Sequence, residues 1–418
     1  MKMKLNRKIK MLDLFAGCGG LTDGFMQTNC FNDIAAVEWK EPQVQTLRNR
    51  LRTKWGEQDA DERVLHFDIQ REAELFAGWS EDKDYESSRG LDYYVNEANG
   101  IDIIIGGPPC QAYSVAGRVR DEKGMADDYR NFLFEHYLAI VDRYQPDLFI
   151  FENVPGILSA APHGKKVSEI IQKEFSKKDY EITSKLKGAI VNAADYNVPQ
   201  NRKRVILVGI RRKSFKDIDI QKMLDDFYKQ ILPSHKCENV LTVKDAIGML
   251  PPLEPYWDEE HHSKRKSHSV PNCDVTWHVP RYNNLRDMDT FKLLAEDLES
   301  GKNEYDSKKI AELYEKKVGA KSPIHRYHVL NPNEPSTTII AHLHKDGNRF
   351  IHYDSKQART ITPREAGLLQ SFDADFEFLG SRGSVYEMIG NAVPPQLAKA
   401  LAESVIELLV KYKSDKYA

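Results

Sequence analysis

The chain predicts an α/β protein built on an open, mostly parallel sheet, with a smaller loop-rich second domain. Three observations carry this expectation. Short β-branched runs alternate with segments of helical apolar spacing over the first 212 residues, the pattern of strands joined by helical crossovers. The texture changes after about residue 213, where Pro, His and Trp interrupt any period. Orderly sequence returns from about residue 359. The expected domains are therefore 1–212, a middle region 213–354, and a segment 355–418 that returns to complete the first.

Each element follows in order. Residues 9–25, IKMLDLFAGCGGLTDGF, read as a strand, a Gly-rich turn and the start of a helix. NDIAAVEW (32–39) gives a second strand ending in an acid, and VLHFDI (64–69) a third. Residues 76–100 read as a surface insertion. IDIIIGGPPC (101–110) supplies a fourth strand and PDLFIFENVPG (146–156) a fifth, with helical spacing between them at 131–144. Residues 182–212 add two more strands around a loop rich in Asn, Pro, Gln and Arg. The middle region carries a basic knot, HHSKRKSH (261–268), then charged, helix-like sequence at 287–318. In the last helix Leu397, Leu401, Val405 and Leu408 form one apolar stripe, which should pack back onto the first domain.

The totals exclude more than they select. Among 418 residues, 41% are hydrophobic and 29% charged, the balance of an ordinary globular protein, and no run approaches the ~20 apolar residues of a membrane span. The basic start breaks at once into Gly and Asp, so it reads as a lead into the first strand, not a secretory signal. Five cysteines without paired CxxC spacing argue against a disulfide framework and against a zinc site, and so for a reducing, cytoplasmic setting. A net charge of −3 means that any nucleic-acid surface must be local.

Two clusters carry chemistry. In FAGCGGLTDGF, Gly17, Gly19 and Gly20 stand between a strand and a helix, but Thr22 occupies the place of the third glycine of a dinucleotide fingerprint. A tight turn with no ligand is an equal reading. Glu38, about twenty residues on, sits where ribose-binding carboxylates end a second strand. Asp68 could accept a hydrogen bond from an adenine amino group, and Trp39 could stack on a purine or lie in the core. Together they describe a nucleoside-bearing cofactor. The second cluster is a thiol and a carboxyl. Cys110 follows the fourth strand behind two prolines, and Glu152 follows the fifth, so a parallel sheet brings both to one edge. No histidine neighbours either, which disfavours hydrolysis.

DLFAGCGG, GGPPCQAYS, FENVPG, QNRKR, TPREAGLLQSF and GNAVPP occur in the order of the DNA (cytosine-5) methyltransferases, and the chain resembles that family over nearly its whole length. Tyr113, where the family commonly has Phe, is a small departure. The resemblance implies a Rossmann-like fold, S-adenosylmethionine as cofactor and cytosine in double-stranded DNA as substrate. Cys110 would add to carbon-6 of a flipped-out base and Glu152 would engage ring nitrogen-3. Arg202 and Arg204 match arginines that face the target base; otherwise they would read as a solvated basic turn. Phe15, Gly17, Gly19, Leu21, Glu38, Trp39, Asp68, Ile69, Pro108, Asn391 and Val393 would line the cofactor pocket. Residues 111–129, with Gln111, Ser114 and Arg118, resemble the loop that closes over DNA, and Thr338–Ile339 resembles a Thr-Leu pair near the flipped nucleotide. The middle region would recognise the target sequence, with the basic knot either on phosphates or merely solvated.

The compact layout resembles the bacterial type that works beside a restriction endonuclease on the same site, as a monomer at the nucleoid, with no metal and no membrane. An RNA (tRNA) cytosine-5 methyltransferase shares these motifs, but the sizeable middle region argues against it. A catalytically inactive DNA-binding homologue is opposed by the intact Cys110, Glu152 and Arg202.

Overall fold

A computed structural model of the chain describes residues 5–109, 133–161, 166–270, 272–319, 327–345 and 347–417. They divide into two compact units. The first holds Met1–Tyr196, Lys203–Glu238 and Val393–Ala418; the second holds Asn197–Arg202 and Asn239–Ala392. Residues 213–238 thus belong with the first unit and 355–392 with the second, so these boundaries differ from 212/213 and 354/355.

The first unit is built on eight strands: β1 (Ile9–Leu14), β2 (Phe31–Glu38), β3 (Val64–His66), β4 (Ile103–Gly106), β5 (Leu148–Asn153), β6 (Tyr180–Glu181), β7 (Ile190–Asn192) and β8 (Lys203–Arg211). Their order is β3-β2-β1-β4-β5-β8-β6, and β7 also pairs with β8. The five strands from β3 to β5 run parallel, while β8 lies antiparallel to β5. The expected α/β sheet is thus present, its parallel half carrying the strand ends singled out by the sequence. β4 and β5 are buried on both faces, as their unbroken apolar runs require.

Helices α1 (Gly20–Met26), α2 (Glu41–Trp55), α3 (Leu133–Tyr144), α4 (Val167–Lys177) and α5 (Pro395–Tyr412) cover the sheet. Leu397, Leu401, Val405 and Leu408 of α5 are fully buried, so the stripe packs as its spacing predicts. α1 accepts α5 at close range through Gly24. A Cβ there would lie 2.3 Å from Pro395 O and 2.5 Å from Ala398 Cβ. On α3, the buried Tyr137 donates to Ile150 O at 2.9 Å, tying that helix to the sheet. In the β5–β8 pair Phe149 faces Gly209, and its ring fills the space a side chain there would take.

Three expectations need correction. Residues 76–100 are not a surface insertion: Trp79, Leu91, Tyr94 and Val95 are core, and Trp79 stacks on Phe67 with ring centroids 3.7 Å apart. Glu152 lies inside β5, hydrogen-bonded through the ladder opposite Ile206, not after the strand. Asp68 stands two residues beyond β3, because pairing with β2 stops at His66 opposite Glu38.

In the second unit the described residues form helices at Leu285–Glu299, Ser307–Val318, Pro363–Leu369 and Arg382–Asn391, together with isolated bridges. Part of the basic knot is core: Ser267 and His268 are buried, and His268 Nε2 lies 2.7 Å from Gln357 O. Lys264–Lys266 remain exposed.

Candidate active site

At the carboxyl edge of β1 and β2 the backbone turns sharply, with φ of 58° at Phe15, 57° at Gly17 and 89° at Gly19. The glycines do different work. A Cβ at Gly17 would meet nothing within 4 Å, so this glycine borders open space. A Cβ at Gly19 would lie 2.5 Å from Leu47 Cδ1, so its missing side chain is taken up by packing against α2. Leu21 and Ile69 are buried, and Phe15 packs against the same core as Ile69.

Glu38 is buried, and its two oxygens are held by backbone amides: Gly17 N–H donates to Oε2 and Lys40 N–H to Oε1, each at 2.9 Å. Burial pushes its carboxyl up from the usual range, against the pull of those amides. The adjacent Trp39 is 50% exposed, which excludes the core reading. Its carbonyl lies 3.0 Å from His66 Nε2, linking the ends of β2 and β3. Asp68 is half-buried and accepts from Gln70 N–H at 3.0 Å.

Beyond β4, Gly107, Pro108 and Pro109 approach β5. Asn153 Nδ2 donates to Pro108 O at 3.1 Å, and a Cβ at Gly107 would come within 2.8 Å of Glu152 Oε2. Only glycine lets the turn run this close to the carboxylate. Asn153, within FENVPG, thus holds the turn from the neighbouring strand, a role that no sequence pattern signals. Arg204 on β8 reaches Glu152, Nε to Oε1, at 2.8 Å. The antiparallel register sets Glu152 opposite Ile206, which leaves Arg204 on the diagonal, within reach of a long side chain. Burial pushes the Arg204 guanidinium down from its ordinary value and Glu152 works against that.

Cys110, Gln111, Ser114 and Arg118 lie outside the described residues. Val393 is buried in the first unit. Arg202, Thr338 and Asn391 belong to the second unit. There Arg202 is fully buried and donates to three carbonyls, Ile339 O and Gly390 O at 2.9 Å and Ala392 O at 3.0 Å. Its guanidinium braces the backbone around Ile339, which differs from facing a base. Thr338 Oγ1 donates to Asn201 O at 2.7 Å, and Asn391 is exposed at its helix end.

The family profile described as C-5 cytosine-specific DNA methylase matches residues 9–407. The chain belongs to this family. This methylase is 30% identical to the type II methyltransferase M.Bpa9945I of Bacillus paralicheniformis, across 96% of this chain and 99% of that one. It is 31% identical to the type II methyltransferase M1.HphI of Haemophilus parahaemolyticus, across 95% and 86%. A prophage-encoded E. coli protein assigned as a DNA modification methyltransferase has a solved structure with 26% identity and a TM-score of 0.58, covering 96% and 99% of the two chains. The S. pombe Dnmt2 methyltransferase, at 16% identity, shares the fold, with a TM-score of 0.54 and coverage of 97% and 100%. The methylase is thus a DNA cytosine-5 methyltransferase on the Rossmann-like fold.

No helix among the described residues is long and apolar enough to cross a membrane. Among them, no group of three or more His, Cys, Asp or Glu side chains could hold a metal ion.

Proposed function

We propose that the protein methylates carbon-5 of a cytosine within a specific double-stranded DNA sequence, using S-adenosylmethionine and a covalent Cys110 adduct to a flipped-out base. The observation that carries this reading is the Arg204–Glu152 pair, buried 2.8 Å apart beside the Gly107–Pro109 turn that leads into Cys110.

The donor set suits an adenosyl sulfonium. Glu38 offers lone pairs for ribose hydroxyls, Asp68 an acceptor for an exocyclic amino group, and Trp39 an exposed flat face, while Gly17 leaves room for a ligand against the backbone. When bound, the cofactor supplies an electrophilic methyl group. Carbon-5 of cytosine is too weak a nucleophile to accept it unaided. Cys110 removes that obstacle: its thiolate adds to carbon-6, and carbon-5 becomes an enamine carbon. Glu152, held at Oε1 by Arg204, delivers a proton from Oε2 to nitrogen-3 and so neutralises the charge that thiolate addition places on the ring. Once carbon-5 is methylated and its proton lost, the thiolate departs. The loop 111–129, with Gln111, Ser114 and Arg118, closes over the DNA and keeps water out.

Arg202 takes a supporting place in this reading, bracing the segment that carries Thr338. The second unit supplies sequence recognition, and the names of the relatives support a type II restriction-modification setting with a cognate endonuclease. We infer a monomer working in the bacterial cytoplasm.

DNA bearing 5-fluorocytosine at the target position tests the chemistry, since fluorine cannot leave as the proton does. A denaturation-resistant protein–DNA complex that needs cofactor and is lost in Cys110→Ala is expected. Its absence with active enzyme would overturn the covalent route.

A further inference from the structure

In the second unit the half-buried Arg281 is held in place without a counter-charge. Its carbonyl accepts from Asn283 Nδ2 at 2.8 Å, which fixes the backbone. Its side chain lies along Gly347, where a Cβ would come within 2.6 Å of Nη1 and 3.4 Å of Cδ. Only glycine leaves room there for both the stem and the charged head. Among the described residues the guanidinium has no carboxylate partner. Gly347 opens a single tight turn, Gly347–Arg349, that is rooted from inside. Phe350 N–H donates to Gly347 O and His328 N–H to Asn348 O, both at 2.9 Å, and Phe350 and Ile351 are buried. Arg349 closes the turn and Lys345 precedes it; both are exposed, and neither has an acidic partner among the described residues. Asp346, the one acid of the stretch 341–349, lies outside the described residues.

The basic knot at 261–268 is the more obvious cationic feature in the sequence, but its charges are already engaged. Lys264 Nζ meets Glu260 at 2.8 Å, His261 Nδ1 lies 2.8 Å from Asp258 Oδ1, and Arg265 sits over the Tyr282 ring. Asp258, Glu259 and Glu260 offset Lys264, Arg265 and Lys266 charge for charge. The two clusters therefore differ in kind: one is neutralised from within, and the other presents fixed positive charge that nothing in the described fold answers.

We propose that Arg281, with Lys345 and Arg349 flanking Gly347, is the seat on the second unit for phosphates of the DNA backbone, in place of the basic knot. This rests on the reading of the second unit as the part that recognises DNA. A planar guanidinium takes two oxygens of one phosphate, and the neighbouring cations suit further phosphates along the same strand. A pinned arginine without a carboxylate is costly to keep unless an anion arrives from outside, and the DNA backbone supplies it.

Fluorescence anisotropy with a random-sequence DNA duplex, titrated with the full chain between about 50 and 200 mM salt, tests this, because phosphate contacts carry no sequence information. Arg281→Gln should weaken binding and lower the slope of log K against log salt by about 1, and adding Arg349→Gln should lower it by about 1 more. Arg281→Lys should restore the slope. Gly347→Ala leaves every charge in place, yet should also weaken binding, because its Cβ takes the room of Nη1. Lys264→Gln should change neither affinity nor slope. Urea unfolding checks that each variant is folded, and the exposed Arg349→Gln carries the test alone if Arg281→Gln is not. A lowered slope in Lys264→Gln beside unchanged arginine variants would overturn the seat and return the phosphates to the knot. Unchanged slopes in every variant, with the wild type still binding, would overturn the DNA reading of the second unit itself.

Discussion

Each unit of this methyltransferase buries an arginine–glutamate pair, and the two are built differently. In the second unit Arg359 and Glu365 are closed off. Arg359 spends all five guanidinium donors, on Gln357, on Thr360 O and on both Glu365 oxygens at 2.7 Å. Glu365 also caps its own helix, accepting from Thr362 N–H at 2.7 Å. In the first unit, among the described residues, Arg204 uses one donor on Glu152 Oε1 and one on Lys203 O, and Oε2 faces Gly107. In the second unit's pair every guanidinium donor is spent inside the fold, whereas in the first unit's pair Oε2 of Glu152 lies outside the ion pair, the oxygen that the proposed mechanism turns toward the base.

This contrast is broken most directly at the open pair. Cys110→Ala should abolish methyl transfer outright while sequence-specific DNA binding, read by gel shift, persists. Retained turnover would remove the thiol from the chemistry. Glu152→Gln keeps the shape beside Arg204, yet should slow single-turnover methyl transfer by about 10²–10⁴-fold, the scale of general acid–base groups. Its urea midpoint should also fall, because Arg204 loses its buried counter-charge, so the rate is read well below the unfolding midpoint. A large stability loss with a normal rate would make this pair structural, like its counterpart.

Why the open pair was only half legible is a matter of register. Glu152 and Arg204 could each be singled out from their motifs, and the five strands themselves, though not all of their ends, follow from β-branched runs between helical spacings. Their partnership depends on β8 lying antiparallel to β5 with Ile206 opposite Glu152, which no local pattern states. The same holds for Trp79 on Phe67: polar residues around 80–90 read as surface, and only tertiary stacking makes the segment core. Arg202 misled in the other direction. A charged side chain in a basic turn looks solvated or catalytic, whereas this one is paired with carbonyls from Ile339, Gly390 and Ala392, distant in sequence. Trp39, by contrast, is exposed at a strand end beside Glu38, as a ligand-stacking residue would be.

The closed pair should show its character through stability alone. Removing one partner leaves a buried, uncompensated charge, so Arg359→Ala should cost about 3–5 kcal/mol in chemical denaturation. Replacing both, as Arg359→Met with Glu365→Leu, should recover most of that loss, short of the cap, which is worth about 1 kcal/mol. If the double variant were as unstable as the single one, the ion pair would be more than a neutralised burial.

Acid offers the mildest test, because Asp33 in the first unit and Glu365, His352 and His268 in the second respond with opposite sign. Burial would raise the Glu365 carboxyl, but the Arg359 charge and hydrogen bonds outweigh it and hold it at about 2, below its ordinary 4.5. Burial pushes His352 down to about 3 and His268 to about 4, from 6.5. In each case the unfolded chain takes the proton first. The histidines therefore withdraw stability as pH falls below 6.5, and Glu365 withdraws its share below 4.5. Asp33 on β2 behaves oppositely: burial lifts it to about 6, so the folded first unit takes that proton first and gains stability between about 6 and 3.8. Urea midpoints measured from pH 7 to pH 5 should fall, and His352→Gln should flatten the decline. Asp33→Asn should instead steepen it, because a group that gains from acid is gone. A decline unchanged by His352→Gln would show that burial leaves this histidine's pKa near its unfolded value, and the second unit's closed network would then be less dry than its hydrogen bonds imply.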